Sequence, residues 1–242
     1  MPYQNTRRII FDLDDTLIET TALYLQARDT LAEYIHSNFD TSYTADEITG
    51  LQESIDVELV NEYGFSTDRF ALSFEETLIQ IARDDSFPVS ESDITAVRGI
   101  AKSVSLTPEE YAERGWKSDA RLVLEHLSED YELALLTKGE PELQWKKVNA
   151  LSITDWIPEE DIHICNRKTP EMFEAALDGV PPEQAWKIGD SIKSDINPML
   201  ETGGNAINIS SPKWAYEESE VYPNPSGDFY AVDTPSEILD IL

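Results

Sequence analysis

The chemistry-bearing residues of this chain are carboxylates, concentrated in FDLDDTL at residues 11–17. Ile9, Ile10 and Phe11 read as the end of a short buried strand, and Asp12, Asp14 and Asp15 follow at once. Charges at the edge of a core are costly unless a cation or a proton compensates them. Because side chains alternate along a strand, Asp12 and Asp14 are expected on one side. That spacing suits two carboxyl groups sharing a small site, one as nucleophile or metal ligand and one as acid/base. A calcium loop of the EF-hand type fails, because Thr16 and Leu17 stand where a ligand and a glycine are needed. Helix capping accounts for one of these aspartates but not for three.

Elements that could hold such a site follow from the hydrophobic pattern. Residues 18–116 are rich in helix formers, with Leu23, Ala27, Leu31, Tyr34 and Ile35 spaced three and four apart. Further helices are expected at 45–62, 68–84, 91–103 and 108–114, two of them opened by Ser-x-x-Asp at 90–93 and Thr-Pro-Glu-Glu at 107–110. After Trp116 the pattern changes to strands at Leu133–Thr137, Ile162–Cys165, Trp186–Gly189 and Ala206–Ile209. Helical stretches at 118–129, 141–150, 170–178 and 194–202 separate them, and Phe229–Val232 with Pro235–Leu242 reads as an edge strand and a terminal helix. Strand–helix alternation implies a doubly wound parallel sheet with helices on both faces. The first strand has no partner in the helical block, so it joins this sheet. The expected organisation is an α/β core domain, 1–17 and 117–242, carrying an inserted all-helical domain at 18–116.

Each strand ends in polar residues: Asp12-Leu-Asp14, Thr137-Lys138-Gly139, Asn166-Arg167-Lys168-Thr169-Pro170, and Gly189-Asp190-Ser191 with Asp195 shortly after. In open α/β sheets, ligands bind beyond the carboxyl ends of the strands. Carboxylate pairs, a hydroxyl, an ammonium and glycine-flanked amides are the inventory for metal-assisted phosphoryl transfer.

With FDLDDTL, LLTKG, Lys168 in NRKTP and GDSIKSD in this order, the chain resembles the haloacid dehalogenase superfamily, in its phosphatase branch with a helical cap. The resemblance implies a Rossmann-like core, Mg²⁺ as cofactor and a small phosphorylated metabolite as substrate. It makes Asp12 the nucleophile of an aspartyl-phosphate mechanism and Asp14 the general acid/base. Thr137, with the Lys138 and Gly139 amides, would bind the phosphoryl group, and Lys168 would neutralise it. Mg²⁺ would be held by Asp12, Asp190 and the Asp14 backbone carbonyl, with Asp195 in support. Asp14 turns the reading away from dehalogenation. A phosphomutase and a catalytically idle Mg²⁺-binding protein remain alternatives. Phosphoglycolate, nucleotides and sugar phosphates are all admissible substrates.

Composition narrows the setting. Of the 242 residues, 48 are acidic and 18 basic, a formal charge of −30, which excludes nucleic-acid binding through a broad basic face. Self-repulsion on this scale is relieved by salt, and the composition reads as adaptation to a salty cytoplasm, such as that of a halophile. No stretch has the length of a membrane span, MPYQNTRRII lacks the apolar region of a secretory signal, and Cys165 is the single cysteine. Cys165 reads as core, the three histidines as structural, and Lys146-Lys147 as solvated surface. Arg28, Arg69 and Arg83 of the helical block read as surface charges, and Asp15 receives no role.

Overall fold

A computed structural model describes residues 7–212, 214–217, 219–223 and 226–242. The chain forms two compact units: residues up to Thr20 together with Thr107–Leu242, and Thr21–Leu106.

The second unit is built from α1 (Thr21–Asn38), α2 (Ala45–Tyr63), α3 (Thr67–Asp85) and α4 (Glu91–Lys102). Their starts are written locally. Thr44 and Glu47 form a capping box, as do Ser90 and Asp93, and the Ser66 side chain caps α3. Leu31, Ile35, Ile48, Phe70, Phe74, Leu78, Ile81 and Val97 make a common core. Beside it lie polar groups that are also buried. Arg69 pairs with Asp56, Arg28 Nη1 lies 3.2 Å from Glu53, and Gln52 donates to Ser73 Oγ at 2.7 Å. Arg28 and Arg69 are therefore internal ion-pair partners rather than the surface charges expected of them.

The first unit holds a parallel sheet of six strands: β1 (Arg8–Phe11), β2 (Glu132–Lys138), β3 (Ile162–Cys165), β4 (Ala185–Gly189), β5 (Asn205–Ile209) and β6 (Phe229–Val232). The spatial order is β3-β2-β1-β4-β5-β6. Chain order reverses between β1 and β4, the place where such sheets bind ligands. Side chains of β1 alternate between two cores. Ile9 and Phe11 pack with Leu133, Leu135, Trp186, Ile188 and helix α6 (Ala120–Leu127), whereas Ile10 packs with Ala134, Leu136 and Phe173. The remaining helices are α5 (Pro108–Arg114), α7 (Pro141–Ala150), α8 (Pro170–Leu177) and the short α9 (Asn197–Glu201), which follows a turn of π pitch at Ile192–Ile196. The C-terminal segment Pro235–Asp240 is a 3-10 helix rather than an α-helix.

The segment 107–116, expected in the helical insertion, packs with the α/β unit instead. Lys117 N donates to Leu17 O at 2.8 Å, Lys117 Nζ to Asp15 O at 2.6 Å, and Arg114 Nε to Glu19 O at 3.0 Å. Asp15 adopts a left-handed backbone with φ 57°, and its carboxylate accepts from both the amide and the hydroxyl of Thr20, each at 3.0 Å. The third aspartate of FDLDDTL thus shapes the turn that leaves the sheet.

Candidate active site

The first strand ends at Phe11, so period-two alternation does not carry through Asp12 and Asp14. The two carboxylates take separate partners. Asp12, 6% exposed, accepts from Lys168 Nζ at 2.6 Å. Lys168 Nζ also donates to Asp195 Oδ1 at 2.6 Å, and that oxygen lies 2.9 Å from Lys187 Nζ. Asp12, Lys168, Asp195 and Lys187 therefore form a buried ladder of alternating charge. It is set by β1, the loop before α8, the π turn after β4, and β4 itself. Gly189 leaves room for it, because a Cβ there would lie 2.5 Å from Asp195 Cγ.

Asp14 belongs to a second group. Its Oδ1 accepts from Lys147 Nζ at 2.7 Å and its Oδ2 from Gln144 Nε2 at 2.9 Å. Gln144 Nε2 lies 2.7 Å from Thr137 Oγ1 as well. The Gly139 amide is engaged with the Cys165 carbonyl at 3.0 Å, contrary to its expected availability for phosphate. Lys138 sends its ammonium to Glu217 Oε1 at 2.5 Å and Ser194 Oγ at 2.9 Å. Glu217 accepts in turn from the hydroxyls of Ser191 and Ser194.

The electrostatics separate the aspartates. Burial alone would raise Asp195, but Lys168 and Lys187 hold it down to about 2. Asp190 is pushed up to about 8, first by burial and then by the negative charges of Asp12, Asp195 and Asp15, with the Ser211 hydroxyl working against them at 2.8 Å. Asp12 is raised, chiefly by burial, against the pull of Lys168. Burial would strip Lys168 of its proton, yet Asp12 and Asp195 outweigh it and keep the group cationic. Burial pushes Lys187 down against the pull of Asp195.

One oxygen each from Asp12, Asp190 and Asp195 lies within 4.8 Å of the others. Among the described residues Asp190 makes no ion pair, and Asp195 Oδ2 is buried without a partner. A cluster of hard carboxylate oxygens in which Asp190 is left without a cation fits a small divalent cation.

Sequence reasoning missed four polar residues around this site: Gln144, Lys147, Lys187 and Glu217. Lys147, expected as solvated surface, is 3% exposed and bound to Asp14. The Gln144–Lys147 spacing of three puts both on one helical face, a pattern equally common on solvated helices. Lys187 did carry a signal. A lysine inside a strand of a parallel sheet covered on both faces requires a buried counter-ion. Cys165, expected in the core, is only half-buried, beside Thr137 O.

Comparison with known proteins places this geometry. Glyceraldehyde 3-phosphate phosphatase of Methanopyrus kandleri is 27% identical over 98% of this chain and 97% of its own. The enzyme of the same name from Pyrococcus furiosus is 26% identical over 97% of this chain and 92% of its own. The crystal structure of a haloacid dehalogenase-like family hydrolase from Xanthomonas campestris superposes with a TM-score of 0.74 at 23% identity, covering 96% of this chain and 92% of that one. Residues 6–201 match the haloacid dehalogenase-like hydrolase family, and the chain belongs to it.

Proposed function

We propose that the protein is a Mg²⁺-dependent phosphatase that hydrolyses the monoester of a small phosphorylated sugar, of the glyceraldehyde 3-phosphate class, through an aspartyl-phosphate. The observation that carries this reading is the pairing of Asp12 with Lys168 beside the acidic cluster of Asp190 and Asp195, while Asp14 is held apart by its own donors. The names of the curated relatives support the substrate class.

Asp12 attacks phosphorus; its P–O bond forms as the bond to the sugar oxygen breaks. Lys168 lowers the repulsion between the carboxylate and the phosphate dianion, and the Thr137 hydroxyl donates to a phosphoryl oxygen. Asp14 gives its proton to the departing alkoxide. It then takes one from the water that attacks phosphorus, breaking the bond to Asp12 and releasing inorganic phosphate. Asp12, Asp190 and the Asp14 carbonyl would hold Mg²⁺, which would supply further charge neutralisation.

The test is release of phosphate from glyceraldehyde 3-phosphate and from p-nitrophenyl phosphate, with and without Mg²⁺, in the wild-type protein and in Asp12→Asn. Magnesium-dependent turnover lost in a folded Asp12→Asn supports the reading. No turnover across a broad panel of phosphate esters favours the idle binding protein. Accumulation of an isomeric sugar phosphate in place of inorganic phosphate favours a phosphomutase.

A further inference from the structure

Helix α7 reaches Asp14 with two side chains, and neither belongs to a motif of the sequence. Lys147 is 3% exposed and Gln144 1% exposed, so both are committed to the interior. Each Asp14 oxygen receives one of them, the ammonium at 2.7 Å and the amide at 2.9 Å. A carboxylate offers about four lone-pair positions. Two donors fix its plane and still leave positions open for a substrate oxygen or a water.

Other contacts indicate that the arrangement is built. Gln144 Nε2 also lies 2.7 Å from Thr137 Oγ1 and 2.8 Å from Lys138 O, which ties the acid/base to the end of β2. Gly139 makes way for it: its φ is +143°, and a Cβ there would approach Gln144 Cδ to 3.1 Å. The Lys147 ammonium lies 6.0 Å from the ring centroid of buried Tyr111 on α5. Tyr111 forms an aromatic wall on one side of the ammonium, and Asp14 is its carboxylate partner.

We propose that Gln144 and Lys147 are positioning residues for Asp14, fixing the acid/base relative to Thr137. Lys147 and Asp14 form a second cation–carboxylate pair in parallel with Lys168 and Asp12. This inference rests on the phosphatase reading and deepens it. Its consequence is selective. Expulsion of an alkoxide needs the proton that Asp14 delivers, whereas p-nitrophenolate departs without one. Loss of the clamp therefore harms phosphoryl transfer from a sugar phosphate and leaves transfer from the aryl ester comparatively intact.

The experiment compares kcat/KM for glyceraldehyde 3-phosphate and p-nitrophenyl phosphate in wild type, Lys147→Met, Lys147→Gln and Lys147→Arg. Acid–base catalysis contributes about 10²–10⁴-fold, so a misplaced acid is expected to reduce kcat/KM for the sugar phosphate by about 10–100-fold. The loss for the aryl ester should be at least about tenfold smaller, and Lys147→Arg should recover part of the sugar phosphate rate. Equal losses for the two substrates, or no loss in a folded variant, overturn the proposal. So does failure of both Lys147→Met and Lys147→Gln to fold by circular dichroism, which would make the pair a determinant of folding. Asp12→Asn is run alongside. Retained turnover there would instead overturn Asp12 as the nucleophile, and no turnover of either ester by the wild type would overturn the phosphatase reading itself.

Discussion

Asp190 is the carboxylate whose charge the protein itself leaves least compensated, and Asp190→Asn tests that directly. In the metal-free protein its midpoint lies at about 8 against an ordinary 3.8. At about 1.4 kcal/mol per tenfold change in proton affinity, that costs the fold up to about 4 kcal/mol at pH 7. Asp190 is partly exposed, and screening by solvent reduces the figure to about 1–3 kcal/mol. Replacing the carboxylate with an amide removes the cost. A gain of about 2 kcal/mol raises the thermal midpoint of a chain this size by roughly 4–8 °C without metal. With magnesium the gap narrows. A free concentration one hundred times the dissociation constant adds about 2.7 kcal/mol to the wild type, and Asp190→Asn should lose most of that gain. The pH dependence has a defined sign. Between pH 4 and 8 the folded carboxyl keeps a proton that the unfolded chain has released. Metal-free wild-type stability attributable to this group therefore falls as pH rises through that window, and Asp190→Asn removes that contribution. Calorimetric melts at fixed potassium chloride, with EDTA or with magnesium, read all of these. A variant less stable than wild type in EDTA, with an unchanged magnesium shift, would refute the reasoning.

Other outcomes follow from the same structure. Thermal midpoints should rise across a potassium chloride series as the formal charge of −30 is screened. At constant magnesium, catalytic efficiency toward an anionic substrate should rise too; a flat or falling profile counts against that reading. Gly189→Ala places a methyl group against Asp195, so Asp195 must shift from the ladder; phosphate release should drop at least about tenfold. Arg69→Met leaves the Asp56 carboxylate buried without its main partner and should destabilise the protein by about 3–5 kcal/mol, measured by urea unfolding. Adding Asp56→Leu should restore part of that loss.

Much of the fold was legible because its signals are local. Strand ends carry their polar residues within a few positions of an apolar run, and the Ser90 and Thr107 helix starts announce their own capping boxes. The candidate nucleophile, the ammonium and the acidic cluster could be read for the same reason. What escaped was decided by packing across the chain. Lys147 meets Asp14 across 133 positions, and its neighbour Lys146, identical in chemistry, is partly exposed. Arg28 and Arg69 turn inward because acidic residues of the same unit wait there, which helical spacing alone does not display. Gly139 looked like a donor of its amide, but an extra rung of the sheet takes that proton.

The clasp around Asp15, Thr20, Arg114 and Lys117 gives the α/β unit an unusual freedom. The outgoing and returning segments are fastened to each other before and after the helical insertion. Whatever lies between them closes a loop whose entropic cost grows only with the logarithm of its length, about 0.6 kcal/mol per doubling. The insertion is thus a replaceable graft. It can lengthen, shorten or be exchanged for another domain while β1, β4 and their aspartates keep register.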